Sequence, residues 1–202
     1  MASKLREKLV DTALRLFYEQ GFHVVSVDAI LAEAGISKPT LYKYFRSKNE
    51  LILAALRRRD EQSRNWLMRE MERRGSTPRE QLLALFDTLG EFFLTEDFRG
   101  CMFINATVEF PHLDDPIHEA AAEHKRIFGR HVAELVDKLR VLESEELTEQ
   151  LLILMEGAVI TAHVSQQKTV AQQARRSAEI LIDHAMKKSQ DQPSCEAQQS
   201  LN

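Results

Sequence analysis

The stretch that most constrains this chain is residues 26–48, SVDAILAEAGISKPTLYKYFRSK. It contains two short helical patterns with a tight turn between them. Ser26 is placed to cap the first, which runs from Val27 to about Glu33, because its hydroxyl can accept from the free amides of the first turn. Ala29, Ile30 and Ala32 are its small or apolar positions. Gly35 then tolerates a positive φ at no steric cost, and Ile36 plugs the turn from behind. Ser37 is a cap for the second helix, and Pro39 sits in its first turn, where no amide donor is required. That helix reads from Pro39 to Phe45. Leu41 and Phe45, four apart, face inward, which leaves Lys38, Thr40, Tyr42, Lys43 and Tyr44 outside.

Two short helices about a glycine turn form a helix-turn-helix, whose second helix lies in a DNA major groove. The outer face suits that role. Thr40 offers a hydroxyl and a methyl, the tyrosines offer amphipathic rings, and the lysines offer charge to phosphates. The alternative is that Tyr42, Tyr44 and Phe45 merely pack a small core. Phe45 is assigned to that core; for Tyr42 and Tyr44 both readings stand.

The pattern resembles the DNA-binding domain of TetR-family transcriptional regulators. The resemblance rests on Ala13-Leu14-Arg15-Leu16-Phe17 with Gly21-Phe22, on Val27, Asp28, Ile30, Ala32 and Ala34-Gly35-Ile36-Ser37, on Thr40-Leu41-Tyr42-Lys43-Tyr44-Phe45, and on Lys48 with Leu51. It covers about the first quarter of the chain in detail; beyond that, only length and helical character agree. It implies an all-α homodimer of about nine helices, with an N-terminal three-helix DNA-binding domain, a C-terminal helical bundle, and an interface made by the last two long helices.

Charge is distributed accordingly. The net charge of −4 conceals a basic head on an acidic body: residues 1–59 carry 11 Lys and Arg against 6 Asp and Glu, and the remainder 16 against 25. That is the electrostatic footprint of a DNA-binding module carried by something else. The amphipathic start MASKLREKLV is no signal peptide, and no apolar run is expected to approach the roughly 18 residues of a membrane span. Two distant cysteines, Cys101 and Cys195, predict a reducing compartment, the cytoplasm, and no disulfide framework.

Along the chain, Leu5, Leu9, Ala13, Leu16 and Phe17 form the stripe of a first helix, whose Lys4, Arg6 and Lys8 either reach the DNA backbone or face solvent. Ser47 and Glu50 form a capping box that opens a fourth helix, with Lys48 at its N-terminus as a phosphate contact. The middle of this helix, Arg57-Arg58-Arg59-Asp60-Glu61, reads as solvent-facing. Thr77 and Glu80 box the fifth helix, with Pro78 at its first position. A short apolar helix lies between Gly100 and Pro111, and long helices follow from about Pro116, Ser144 and Val170. The expected domains are 1–48 for DNA, 49–188 for ligand and dimer, and a polar, disordered tail over 189–202.

The sequence contains no Gly-rich phosphate loop, HExxH or nucleophile motif, so no catalytic residue, metal or cofactor is assigned. His118, His124 and His131 share a helix, but the last two stand about 10.5 Å apart, too far for one ion. Cys101, after Arg99-Gly100 at a helix N-terminus, is either an electrophile or oxidant sensor or a small packing residue. Trp66, Phe86, Phe93, Phe103 and Cys101, with Asn105, Thr107 and His163 to orient a ligand, suggest a small-molecule pocket or else a closed core.

The resulting reading is a ligand-responsive repressor bound as a homodimer to a palindromic double-stranded operator. Lys38, Thr40 and Tyr42 contact bases. Ser26, Lys43, Tyr44 and Lys48 contact phosphate, with Ser37 at the helix start among the DNA-facing residues. The rivals are a helical small-molecule-binding or assembly protein whose helix-turn-helix is only structural, and a small-molecule enzyme built in the bundle.

Overall fold

The computed structural model describes residues 2–167 and 169–191. The expected tail from residue 192, with Cys195, lies outside them. Among the described residues the fold is all-helical: α1 (Ala2–Gln20), α2 (Val27–Ala34), α3 (Lys38–Tyr44), α4 (Lys48–Arg74), α5 (Pro78–Phe93), α6 (Met102–Glu109), α7 (Pro116–Asp137), α8 (Ser144–Ser165) and α9 (Val170–Asp191). Ser189, Gln190 and Asp191, expected in the tail, are helical. The Ser189 hydroxyl donates to the Ala185 carbonyl and accepts from the Leu142 amide.

The helices gather into two compact units. One comprises the chain up to Trp66 together with Glu96–Phe128; the other comprises Leu67–Thr95 and the chain from Gly129 onward. The first unit therefore holds more than the three DNA-binding helices, since α6 and the first half of α7 pack with them, and Trp66 belongs to it. Its core joins Leu9, Phe17, Phe22, Ile30, Leu41 and Phe45 to Leu51 and Ile52 of α4, Phe103 of α6 and Ile117 of α7. Leu5, expected in the α1 stripe, is 41% exposed, because the stripe meets its partners only from Leu9 onward.

Local signals account for the helix ends. Ser26 Oγ accepts from Ala29 N at 3.1 Å, and Gly35 ends α2 at φ +61°. Thr77 and Glu80 close their box reciprocally. The box at α4 differs. Ser47 Oγ accepts from Glu50 N, but Glu50 Oε2 accepts from Arg46 N rather than from Ser47 N. Ser37 makes no cap bond, because its hydroxyl pairs with Thr40 Oγ1 at 2.8 Å.

In the second unit α5 packs on α9 and α8; Leu82, Leu85, Phe86 and Leu89 of α5, Ala174, Ala178 and Ile182 of α9 and Leu147 and Leu151 of α8 are all buried. Small residues set the spacing: a Cβ on Gly90 would lie 3.0 Å from the Ala171 Cβ. Arg79 holds Asp183 through two bonds and Glu179 through a third, fixing α5 to α9. Contrary to the sequence expectation, among the described residues one helix is long and apolar enough to cross a membrane by length and composition. It is α8, with an 18-residue stretch of mean hydropathy 1.3, a third of it buried. The reason is that α8 is apolar on two faces: Leu147, Leu151 and Ala158 pack inward, while Ile153, Ile160 and Val164 stay exposed.

Candidate functional site

The face of α3 opposite Leu41 is polar and open. Tyr42 is 49% exposed, Lys38 and Lys43 are exposed, and Thr40 is half-buried. Tyr44 is half-buried and packs against the core, so of the two tyrosines only Tyr42 stands clear of it. Lys38 Nζ donates to Asp28 Oδ1 at 3.2 Å between two exposed side chains, a pair that water and salt loosen easily. The Ser26 hydroxyl, used only as an acceptor in its cap, retains its O–H for an external acceptor.

The turn that follows α1 is a junction that sequence reading missed. After α1, Gly21 turns the chain at φ +90°. The next two amides are both taken by one carboxylate: Glu109 at the end of α6 accepts from Phe22 N at 2.9 Å, His23 N at 2.7 Å and His23 Nδ1 at 2.8 Å. The His23 ring stacks on Phe110, with centroids 4.8 Å apart. From the other side Lys48 Nζ donates to the His23 carbonyl at 3.2 Å. Burial lowers the Lys48 ammonium below the ordinary lysine value, against the pull of Glu109. Burial pushes the Glu109 carboxyl up, but the amides of Phe22 and His23 outweigh it and hold the group below the ordinary glutamate value. The turn from 21 to 23 is therefore clamped by the first residue of α4 and the last residue of α6.

The charged run on α4 is only partly solvent-facing. Arg57 and Glu61 are exposed. Arg58 pairs with Asp11 at 3.1 Å, and the Arg59 guanidinium lies over the Tyr18 ring at 4.7 Å. Asp60 takes two bonds from Arg64, at 3.2 and 2.9 Å, and a third from His124 Nδ1 at 2.7 Å. Burial pushes the Asp60 carboxyl up, but the Arg64 and His124 bonds more than offset it and hold the group below the ordinary aspartate value. Burial takes the His124 imidazole below its ordinary value despite Asp60, so the pair at neutral pH is a carboxylate and a neutral imidazole. This pair lines a groove of about 830 Å³ between α4 and α7, within the size range of small-molecule sites.

The residues expected to form a ligand pocket do not converge on this groove. Trp66, Cys101, Phe103 and Asn105 belong to the first unit, and Phe86, Phe93 and His163 to the second. Phe86 is sealed in its core, and His163 is exposed on α8. Phe103 comes nearest, as it stacks on His124 with centroids 3.6 Å apart and planes 10° apart. Cys101 is a half-buried N-cap without a cap bond.

Two family models match this chain: "Bacterial regulatory proteins, tetR family" over residues 9–55 and "Tetracyclin repressor-like, C-terminal domain" over residues 78–178. The chain belongs to the TetR family. It is 25% identical to the HTH-type transcriptional regulator YjdC of Escherichia coli over 180 residues, 89% of this chain and 94% of that protein. Among solved structures it is similar to SCO4454, a TetR-family transcriptional regulator from Streptomyces coelicolor. The TM-score is 0.85, with 28% identity over 92% of each chain. It is also similar to a putative regulator from Streptomyces avermitilis, at TM-score 0.80 and 25% identity over 90% of this chain and 97% of that one. This TetR-family chain is a DNA-binding transcriptional regulator, from a family that is not enzymatic.

One signal did mark Glu109 in this TetR-family sequence. A carboxylate in the last turn of a helix opposes the helix dipole and implies a partner elsewhere. Asp60 carried no such mark, because a lone acid in an arginine-rich run is normally a solvated one.

Proposed function

We propose that the protein is a ligand-responsive repressor that binds a palindromic operator as a homodimer in the cytoplasm. The single observation that carries the DNA part is the free polar face of α3 opposite buried Leu41, on a chain of this family. In this reading α3 enters the major groove. Tyr42, Thr40 and Lys38 read base edges; Lys43 and Tyr44 contact phosphate, and the Ser26 hydroxyl donates to another phosphate oxygen. The Ser37 hydroxyl pairs with Thr40 Oγ1 and orients that hydroxyl. Lys48 is held by the His23 carbonyl with donors to spare for phosphate at the α4 N-terminus.

The dimer reading is supported by α8. Ile153 and Val164 are 71% and 74% exposed, Ile160 lies between them, and Gly157 in the same stripe has nothing near its absent side chain. Ile180 of the neighbouring α9 is likewise 69% exposed. Such a stripe in water favours a second copy of itself. Two heads then read half-sites about 34–36 Å apart, or a multiple of that. A dimer seated on a promoter obstructs it with no further contact, which makes repression the simplest outcome.

A small molecule held by the first unit would change the separation or posture of the heads, provided that it prefers the non-binding arrangement. Fluorescence anisotropy with the DNA flanking the protein's own gene tests the reading. Salt-dependent binding that Tyr42→Ala weakens at selected bases is the expected result. Indifference of binding to every α3 substitution would return the helix-turn-helix to a packing role.

A further inference from the structure

Leu53, Leu56, Arg57 and Asp60 follow one another at helical spacing along one face of α4, and the N-terminal half of α7 forms the opposite wall. Most of the groove between them is aliphatic or belongs to ion-paired side chains. Its fixed polar features are His118, tied through Nδ1 to the Phe110 carbonyl at 2.8 Å, and His124, held on an edge and a face. A carboxylate only accepts, so the 2.7 Å bond to Asp60 requires the proton on Nδ1. That leaves Nε2 a bare acceptor with no partner among the described residues, on a ring that lines the groove. The ring cannot swing to find one. Asp60, held by Arg64, fixes one edge, and the close parallel stack on Phe103 fixes its face.

The surroundings determine what can meet this acceptor. Lys125 and Arg64 stand near the ring and oppose a further positive charge on it, and burial keeps the imidazole neutral. An anion has no proton to offer Nε2, and it would meet a wall on which Asp60, Glu119 and Glu123 outnumber Arg57 and Arg126. A neutral O–H donor satisfies the acceptor without bringing in charge, and the aspartate behind the imidazole strengthens the bond it accepts. Leu53, Leu56, Ala120 and Ile127 provide an apolar seat for the rest of the molecule.

The geometry points to the α4–α7 groove as a binding site for a neutral phenol-class molecule, its hydroxyl donating to His124 Nε2 and its apolar body lying on the aliphatic wall. The site rests on the ligand-responsive reading only for what its occupancy does to DNA; binding itself is independent of that reading.

The probes are 4-propylphenol and its methyl ether, 4-propylanisole, which has the same body without the donor. They are titrated calorimetrically into the full-length protein, into His124→Phe, which keeps an aromatic ring for Phe103, and into Glu119→Trp. Glu119→Trp fills the groove from an exposed position and remains foldable if His124→Phe does not. The expected result is a preference of at least about tenfold for the phenol, lost in His124→Phe, with both probes excluded by Glu119→Trp. Equal affinity for phenol and ether, a preference that survives His124→Phe, binding unaffected by Glu119→Trp, or no binding to the unaltered protein would each overturn the assignment. Operator anisotropy with and without the phenol is the separate arm. His124-dependent binding with unchanged operator affinity would leave the site standing and remove the ligand-responsive reading.

Discussion

Removing the Glu109 carboxylate should unfasten the turn that precedes the helix-turn-helix. Three bonds meet that group: two from the consecutive amides of Phe22 and His23 and one from the His23 ring. The ring bond counts for little, since the His23 side chain is 62% exposed and water replaces Glu109 there easily. The amide bonds count for more, because the carboxylate is 24% exposed and the Phe22 amide belongs to a buried residue. Truncating the acceptor of a charge-assisted bond costs about 1.5–3 kcal/mol at a buried donor and less at an open one. Glu109→Ala should therefore cost about 2–3 kcal/mol. For a chain of this length that is a fall in Tm of about 5–10 °C. Glu109→Gln, which keeps one acceptor, should cost roughly half as much.

The pH dependence has a definite sign. The folded carboxyl titrates below its ordinary value of 4.5. Its stabilisation is thus complete above about 4.5 and lost as pH falls through the folded value. The gap in stability between the unaltered protein and Glu109→Gln should narrow on acidification below 4.5 and stay constant above it. Urea unfolding followed by circular dichroism measures the gap. Hydrogen exchange should show the Phe22 and His23 amides losing protection in Glu109→Ala before the core does. A Tm within about 1 °C of the parent, or unchanged protection of those two amides, would show that the clamp contributes nothing.

Other outcomes follow from the same geometry. Lys48→Ala should weaken binding to all DNA sequences alike and flatten the salt slope by about one unit, as expected for one lost phosphate contact; an unchanged slope in a salt titration would remove Lys48 from the interface. Ile153→Asp combined with Ile160→Asp should turn a dimer into a monomer in light scattering while leaving the helical spectrum intact, because both side chains are exposed in the single chain. Thr88→Val should raise stability by about 1 kcal/mol in a urea melt, because the Thr88 hydroxyl is fully buried and has no partner among the described residues.

The DNA-binding half was legible because its signals are local. Ser26, Gly35 and Pro39 act within one turn of themselves, and a spacing of four brings Leu41 and Phe45 to one side without any knowledge of the rest of the chain. Cap bonds differed from expectation where two local partners compete. Ser37 had a free amide and the Thr40 hydroxyl within reach and took the hydroxyl, and Glu50 reached past Ser47 to Arg46. The groove and the clamp were not legible, because each joins residues far apart in sequence: Asp60 with His124, Glu109 with His23. No periodicity reports such a pairing. Aromatic content left pocket and closed core undecided for a related reason. Phe86 and Phe103 are both buried, but composition cannot tell an aromatic that lines a cavity from one that seals a core or, like Phe103, backs the side chain that lines it.

These long-range pairs form one connected ring within the first unit. Asp60 on α4 holds His124 on α7, which stacks on Phe103 of α6. Six residues further along the same short helix, Glu109 holds the turn at 22–23, and that turn is tied back to α4 through Lys48. Lys48 and Asp60 lie twelve residues apart on one helix, about 18 Å. The groove opens between two members of the ring, α4 and α7, so a molecule seated there acts on a closed circuit rather than on a free helix end. A displacement of α4 at Asp60 has to be absorbed at Lys48 or passed through α6 to Glu109, and both routes end on the turn that carries α2 and α3. Close packing favours discrete rearrangement over gradual give in such a circuit. Occupancy of the groove can then alter operator affinity only by as much as the ligand's own preference between the two arrangements; equal affinity for both would leave DNA binding untouched however tightly the ligand held.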